Sequence, residues 1–411
     1  MHREKYTIST RQISLNVVQT EIESIRRKNI SKTGLRVYKE GLIGCAGAIG
    51  SYREEALLKR ALKSLQGNVR YGFELSKNQQ RSKDLRREFI DEKNILDEFS
   101  EFLERVKKAQ PNFIFANKIN LTEEEYQVQN DAGLDLTHAD RVLEVGLLFK
   151  EKSSVNVMDG FAGFWGRDYD RELGVEEINK ICNAYQNPVD LPKKKKLPVI
   201  FRSGDMVPFL KFLKDLEGNS YGSKSSLFSN KREQKIFSED FTLYQSRNSS
   251  DTLLTPFFDV EGTTNNHDRY TLINDGVLMA PFTDKRAAEK YQLPVTGAAA
   301  AEYDGIPVIG RPHLTIKAST KTAKELLGGE PGVLVMIASG GDFTPQGNFG
   351  SPVQLAFLFD GEKIIGKLPE LKISSNVMDM YGKDFIGVSK DSMGPLMHDK
   401  YLMMHMEVSE I

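Results

Sequence analysis

The sequence predicts an α+β protein of two domains. Three observations carry this. A chain of 411 residues is longer than one ordinary hydrophobic core supports. A run of four lysines between prolines, LPKKKKLP at 191–198, reads as a solvated boundary, because like charges repel and stay in water. Beyond it strand signals outnumber helical ones and do not alternate with them, as the βαβ units of a doubly wound sheet would. The division is therefore 1–192, a helix-rich α/β layer, and 193–411, a strand-rich domain with a mainly antiparallel or mixed sheet.

Within the first domain, Ile13, Leu15, Val17, Val18, Ile22 and Ile25 are spaced as on an amphipathic helix over 10–28. The stretch from Gly34 to Gly44 alternates about Val37, and Glu40-Gly41 is placed as a hairpin turn. Ser51–Leu65 reads as a helix. Residues 78–109 read as one long helix, or as two joined near Asp91. Arg141–Lys150 and Val155–Phe164 are expected to pair as strands, and Val175–Tyr185 to close the half as a helix.

In the second domain Leu197–Phe201 is a short apolar strand and Asp205–Leu216 a short helix. Strands are expected near 241–244, 253–258, 313–318, 333–337, 353–359 and 401–408, with an Asp360-Gly361 turn joining 357–359 to 363–365. Short helices are expected near 284–291, 320–327 and 375–382.

Composition narrows the function classes. Charged residues are 27%, hydrophobic residues 39% and the net charge is −1, which suits a globular protein and argues against a strongly basic nucleic-acid binder. Cys45 and Cys182 are the only cysteines, too few and too far apart for a disulfide scaffold or a thiolate zinc site. The N-terminus lacks an apolar core of signal length, and no run of about 18 apolar residues suggests a membrane span, so a cytoplasmic protein is the simplest expectation. There is no GxxxxGK[ST], no strand-linked GxGxxG and no GxSxG.

The most informative run is Phe257–Tyr291. Asp259 and Glu261 lie two apart, so on a strand both carboxylates would share one face. Gly262 and Thr263 follow. Then Tyr270–Ile273, the turn Asn274-Asp275-Gly276 and Val277–Met279 form a hairpin signal, and Asp284 is placed as an N-cap. His267 with Asp259 and Glu261 could make a metal or acid/base cluster. The simpler reading is a loop whose carboxylates accept backbone hydrogen bonds. His398 and His405 read as ordinary residues of a strand end.

The order Asp259, Glu261, Gly262, Thr263, Leu272, Ile273, Gly276, Val277, Leu278 resembles the central signature of the TldD/TldE family, also called PmbA or modulator of DNA gyrase. Gly34-Leu35-Arg36-Val37 is similar to the family's first hairpin, and Asn130–Gly133 loosely to one of its turns. Gly341-Asp342-Phe343 with Gly350, and Ile373–Asp379, are similar to two later loops. Thr296-Gly297-Ala298 resembles a third, except that alanines replace its polar residues.

The resemblance implies two subunit types. TldD-like chains carry His-Glu-x-x-x-His on the helix after the strand that opens the second half, where two histidines a turn apart hold zinc and the glutamate acts as base. Here that helix is 207–218. Phe209 and Leu210 fall where the first histidine and the glutamate would be, and Lys214 near the second histidine. No histidine lies between 139 and 266. The chain thus resembles the TldE-type subunit. The resemblance implies no catalytic residue and no metal in this chain, with zinc in a TldD-like partner and an unfolded peptide as substrate. A homodimer, a stand-alone hydrolase using Asp259, Glu261 and His267, and a non-enzymatic interaction protein stay open.

Overall fold

Four strands of unusual length organise the first half of the chain, whose computed structural model describes all residues, Met1–Ile411. In order the elements are β1 (His2–Val18), β2 (Glu21–Lys39), β3 (Leu42–Ile49), α1 (Glu54–Ser64), β4 (Gln79–Asp84), α2 (Ile95–Ala109), β5 (Phe113–Asn130), β6 (Leu134–Glu151), β7 (Gly160–Gly166) and α3 (Arg171–Tyr185). They form one seven-stranded sheet in the order β3-β2-β1-β5-β6-β4. The second edge of β6 is shared: β4 pairs with its start in parallel, and β7 pairs with residues 143–149 antiparallel.

The helix expected over 10–28 is therefore a β-hairpin. Its apolar set is of period two where it is buried, with Ile13, Leu15 and Val17 pointing to one face. A bulge between Asn16 and Val17 shifts the register and mixes that period with the spacing of Ile22 and Ile25. The turn itself, Gln19-Thr20, has positive φ at both residues, 51° and 66°, without the Asn-Gly or Asp-Gly pair that usually marks such a turn. Thr20 is held by tertiary bonds instead: its N–H donates to the Phe115 carbonyl at 2.7 Å and its hydroxyl accepts from Phe115 N–H at 3.0 Å. The long helix expected at 78–109 is likewise split into β4, a loop, and α2. The helix α1, the Glu40-Gly41 turn, the β6–β7 pair and α3 form as expected.

The second half continues with β8 (Lys196–Arg202), a 3₁₀ turn at Val207–Phe209, α4 (Leu210–Asp215), α5 (Gly218–Gly222), β9 (Leu243–Ser246), β10 (Arg269–Asn274), β11 (Val277–Leu278), α6 (Lys285–Tyr291), β12 (Ala299–Ala300), β13 (Val308–Ile309), β14 (Leu314–Ile316) and α7 (Ala323–Leu327). It ends with β15 (Gly332–Ala338), β16 (Asp342–Phe343), β17 (Asn348–Phe359), β18 (Ile364–Lys367), β19 (Leu371–Asn376), α8 (Val377–Met380), β20 (Phe385–Ser392) and β21 (Lys400–Glu410). Pairings run β15-β8-β21-β19-β17 and return from β17 to β15, so five strands close a ring of hydrogen bonds. Only the β8–β15 pair in that ring is parallel. A four-stranded sheet, β11-β10-β9-β14, lies beside it. The stretch 253–258, expected as a strand, is a loop. Strands hold 43% of the residues and helices 19%, unevenly ordered along the chain, which makes the fold α+β.

Alternation along the ring strands feeds two separate cores. Leu402, Met404, Met406 and Val408 of β21 join Val199, Phe201, Val333 and Val335 in one core with α4. Met403 and Tyr401 join Ile200, Leu334 and Phe357 in another, which also contains Phe99, Phe102, Ile178 and Cys182 from α2 and α3. The second core therefore draws on both halves and fixes one against the other. No helix is long and apolar enough to cross a membrane.

Candidate functional site

The chain leaves β8 and enters α4 through Pro208, whose ring presets the first helical turn. Residues 209, 212 and 216 fall on one face at spacings of three and four. Phe209, Phe212 and Leu216 are all buried. The Phe212 ring lies 5.7 Å from Phe228, 5.6 Å from Phe237, 5.6 Å from Phe241 and 4.8 Å from Tyr381. Leu210 packs on the same core, and Lys214 points into solvent.

Lys211 and Asp215 make a second buried feature of this helix. Their ion pair is 3.1 Å long with side chains 3% and 4% exposed. Lys211 Nζ also donates to the Pro345 carbonyl at 3.1 Å, and Asp215 accepts from Leu227 N–H at 2.7 Å. The pair is thus closed by partners on two other segments. The residues that the resemblance matches to a His-Glu-x-x-x-His motif, Phe209, Leu210 and Lys214, carry phenyl, alkyl and ammonium groups, which do not fit zinc. Across the molecule no three His, Cys, Asp or Glu side chains are grouped to hold a metal ion.

The Phe257–Tyr291 segment has a different geometry from the strand expected for its start. Only Phe258 and Thr264 bridge, so Asp259 and Glu261 sit in a tight loop. One oxygen of Asp259 accepts from the N–H groups of Glu261 and Thr263, at 3.0 and 2.8 Å, and the other from Ala299 N–H at 3.0 Å. Glu261 accepts from the Tyr71 hydroxyl and, at 3.1 Å, from the N–H of Lys285, the first residue of α6. Asp284 caps that helix through Ala287 N–H at 2.7 Å, as its position suggested. Burial first, and then the charge of Asp259, push the Glu261 carboxyl up to about 7, against the bonds from Tyr71 and Lys285.

Gly262 is required at its place: φ is +69°, and a Cβ there would lie 2.4 Å from Leu134 Cδ2. Thr263 is half-buried, and its hydroxyl finds no partner. His267 is exposed, with a φ of 52°, and its ring makes no hydrogen bond. Of the two readings of this stretch, the geometry is that of a loop whose carboxylates accept backbone hydrogen bonds, and it leaves the His267 imidazole in water, apart from Asp259 and Glu261.

What these residues touch is mostly the first half. Arg36 of β2 donates to the Val260 carbonyl, Ser76 to the Glu261 carbonyl at 2.8 Å, and Gln79 to Thr264 at 3.0 Å. Arg81 of β4 grips the buried Asp268 with two bonds of 2.6 and 2.9 Å. Tyr71, Ser76 and Arg81 escaped sequence reasoning because each lies about 185 residues away in the chain, in segments without motif character. Arg36 was legible only as part of the first hairpin. In the Thr296-Gly297-Ala298 loop the buried Thr296 hydroxyl keeps a polar contact, 2.9 Å from Gln245, while Ala298 joins the core.

The second half of the chain matches a family model described as the PmbA/TldA metallopeptidase C-terminal domain, over residues 194–404. The chain belongs to the PmbA/TldD family. Among solved structures, TldE from Thermococcus kodakarensis is similar at 20% identity and a TM-score of 0.79, covering 99% of this chain and 96% of its own. A protein described as a candidate DNA gyrase modulator from Thermotoga maritima has 17% identity and a TM-score of 0.77, over 99% and 96% of the two chains. Another so described, from Bacteroides thetaiotaomicron, has 14% identity and a TM-score of 0.74, over 100% and 95%. At these identities the likeness is one of fold. No curated protein matches the sequence. Within the PmbA/TldD fold, the signature loop of this chain joins the two halves, and the helix after β8 is a packing element.

Proposed function

We propose that this chain is a TldE-type subunit that does not itself hold zinc and acts with a TldD-like chain that does, in the processing of unstructured peptides. What carries the reading is the chemistry of the segment after β8: by the resemblance Phe209, Leu210 and Lys214 fall at the motif positions, and α4 is locked by the buried Lys211–Asp215 pair. A phenylalanine cannot ligate zinc, and a protonated lysine is a poor donor. The likeness in fold to a structure named TldE supports the same reading. The strand-rich second half suits an extended substrate, which can satisfy its backbone by adding to a sheet edge.

The test is capture of the native chain from its own cells, followed by reconstitution. The reading expects a partner bearing His-Glu-x-x-x-His, and peptide cleavage by the mixture that zinc chelation stops. Cleavage by this chain alone would overturn it.

The stand-alone hydrolase finds less support, since Asp259 and Glu261 are both engaged by backbone N–H groups and His267 faces solvent. A non-enzymatic interaction protein is the second reading, favoured by the description of two fold neighbours as gyrase modulators. It gains if the captured partner carries no zinc motif.

A further inference from the structure

Between α3, β7 and the strand ring lies a cavity of about 500 Å³ that the signature loop does not touch. That volume is in the range of small-molecule sites. On the first-half side Ile181 of α3 and Phe161 of β7 line it, and on the ring side Leu334, Met336, Phe359 and Tyr401. Ile181 and Met336 are only partly buried, at the fringe of the core that both halves share. The shared core therefore ends in an apolar wall with nothing packed against it. Interiors are normally filled to crystal density, and an apolar hollow favours apolar occupants over water.

The charges at the mouth indicate what else the occupant carries. Glu177 is paired with Lys180 at 2.7 Å, and Glu362 with Lys324 at 3.2 Å. Arg202 binds Asp205 through Nε and Nη2, at 3.0 and 2.9 Å, and its guanidinium lies over Phe161 and Trp165, 5.9 and 5.3 Å from the ring centres. Lys363 is exposed and forms no ion pair. Every acid at the rim thus has a cation, and one cation is left over.

We propose that this cavity binds a small amphipathic monocarboxylate, its apolar body against Ile181, Met336 and Phe359 and its carboxylate at Lys363. The proposal is independent of the peptidase reading. Trp165, the only tryptophan, lies outside the cavity lining but against Arg202, which is part of it, so its fluorescence is an indirect reporter and heat the direct one.

The experiment titrates the full chain with decanoate below its micelle concentration, reading Trp165 fluorescence and heat, with decanol and a capped leucine peptide alongside. Saturable decanoate binding is expected, with decanol about fivefold weaker, the worth of one exposed charge contact. Lys363→Ala should weaken decanoate about fivefold and leave decanol unchanged. Ile181→Glu, checked for native circular dichroism, should abolish binding. No saturation, equal affinity for decanol and decanoate, or insensitivity to Lys363→Ala would overturn the proposal. So would a response to the leucine peptide alone, which would make the cavity a side-chain pocket.

Discussion

Lys211 and Asp215, one turn apart on α4, form a 3.1 Å ion pair that is almost wholly removed from water. A buried pair is weak evidence of net stabilisation, but breaking it on one side leaves a charge stranded. Lys211→Met should cost roughly 3–5 kcal/mol. Lys211→Met with Asp215→Asn should recover part of this, because an asparagine oxygen can still accept from Leu227 N–H. Urea denaturation of the three proteins checks the order; a double variant less stable than Lys211→Met would contradict it.

Glu261 should make stability fall as pH rises. Its folded pKa, about 7, stands above its ordinary value of 4.5. Below the lower value both states are protonated and its contribution is whole; as pH climbs towards the higher value the unfolded chain ionises first, and the contribution is lost. Glu261→Gln should flatten the stability profile between these two values. Thermal melts across the window check it, and an unchanged slope would reject the assignment.

The two left-handed glycines at hairpin turns should differ in cost. A Cβ on Gly41, φ +76°, meets nothing within 4 Å, so Gly41→Ala should cost about 1–2 kcal/mol from conformation alone. A Cβ on Gly276, φ +78°, would lie 2.3 Å from the Phe237 carbonyl oxygen, so Gly276→Ala adds a backbone clash and should cost more. Equal melting temperatures for the two variants would show that the clash relaxes freely.

The Asp-Gly turn at 275–276, the Asp284 cap and the alternation of β21 could all be read from the sequence, because each is a local rule acting within a few residues. The β1–β2 hairpin could not. Its turn pair is Gln19-Thr20, its bulge blurs the period, and it is fixed by Phe115 on a distant strand. For Asp259 and Glu261 the residue types were informative but the backbone shape was not. Their loop is held by Tyr71 and Ser76, and Asp268 beyond it by Arg81, residues whose identities say nothing until β4 is placed beside β6. The Lys211–Asp215 pair stands at an i, i+4 spacing that reads as an ordinary exposed helix pair; burial is what changes its meaning.

Arg81 should matter by its geometry as well as its charge. Its two bonds to Asp268 need a planar fork, and Lys83 stands farther from the same carboxylate, at 3.4 Å. Arg81→Lys should destabilise the chain by about 1–2 kcal/mol, and Arg81→Ala by about 2–3 kcal/mol. Chemical denaturation separates them; an Arg81→Lys variant as stable as the parent would mean that charge alone is at work.

The claim at the centre concerns donor atoms, and the zinc content of the purified full-length chain tests it most directly. After equilibration with zinc and dialysis, elemental analysis should find far less than one ion per chain. One tightly held zinc per chain, released when Asp259 or Glu261 is replaced, would contradict the account.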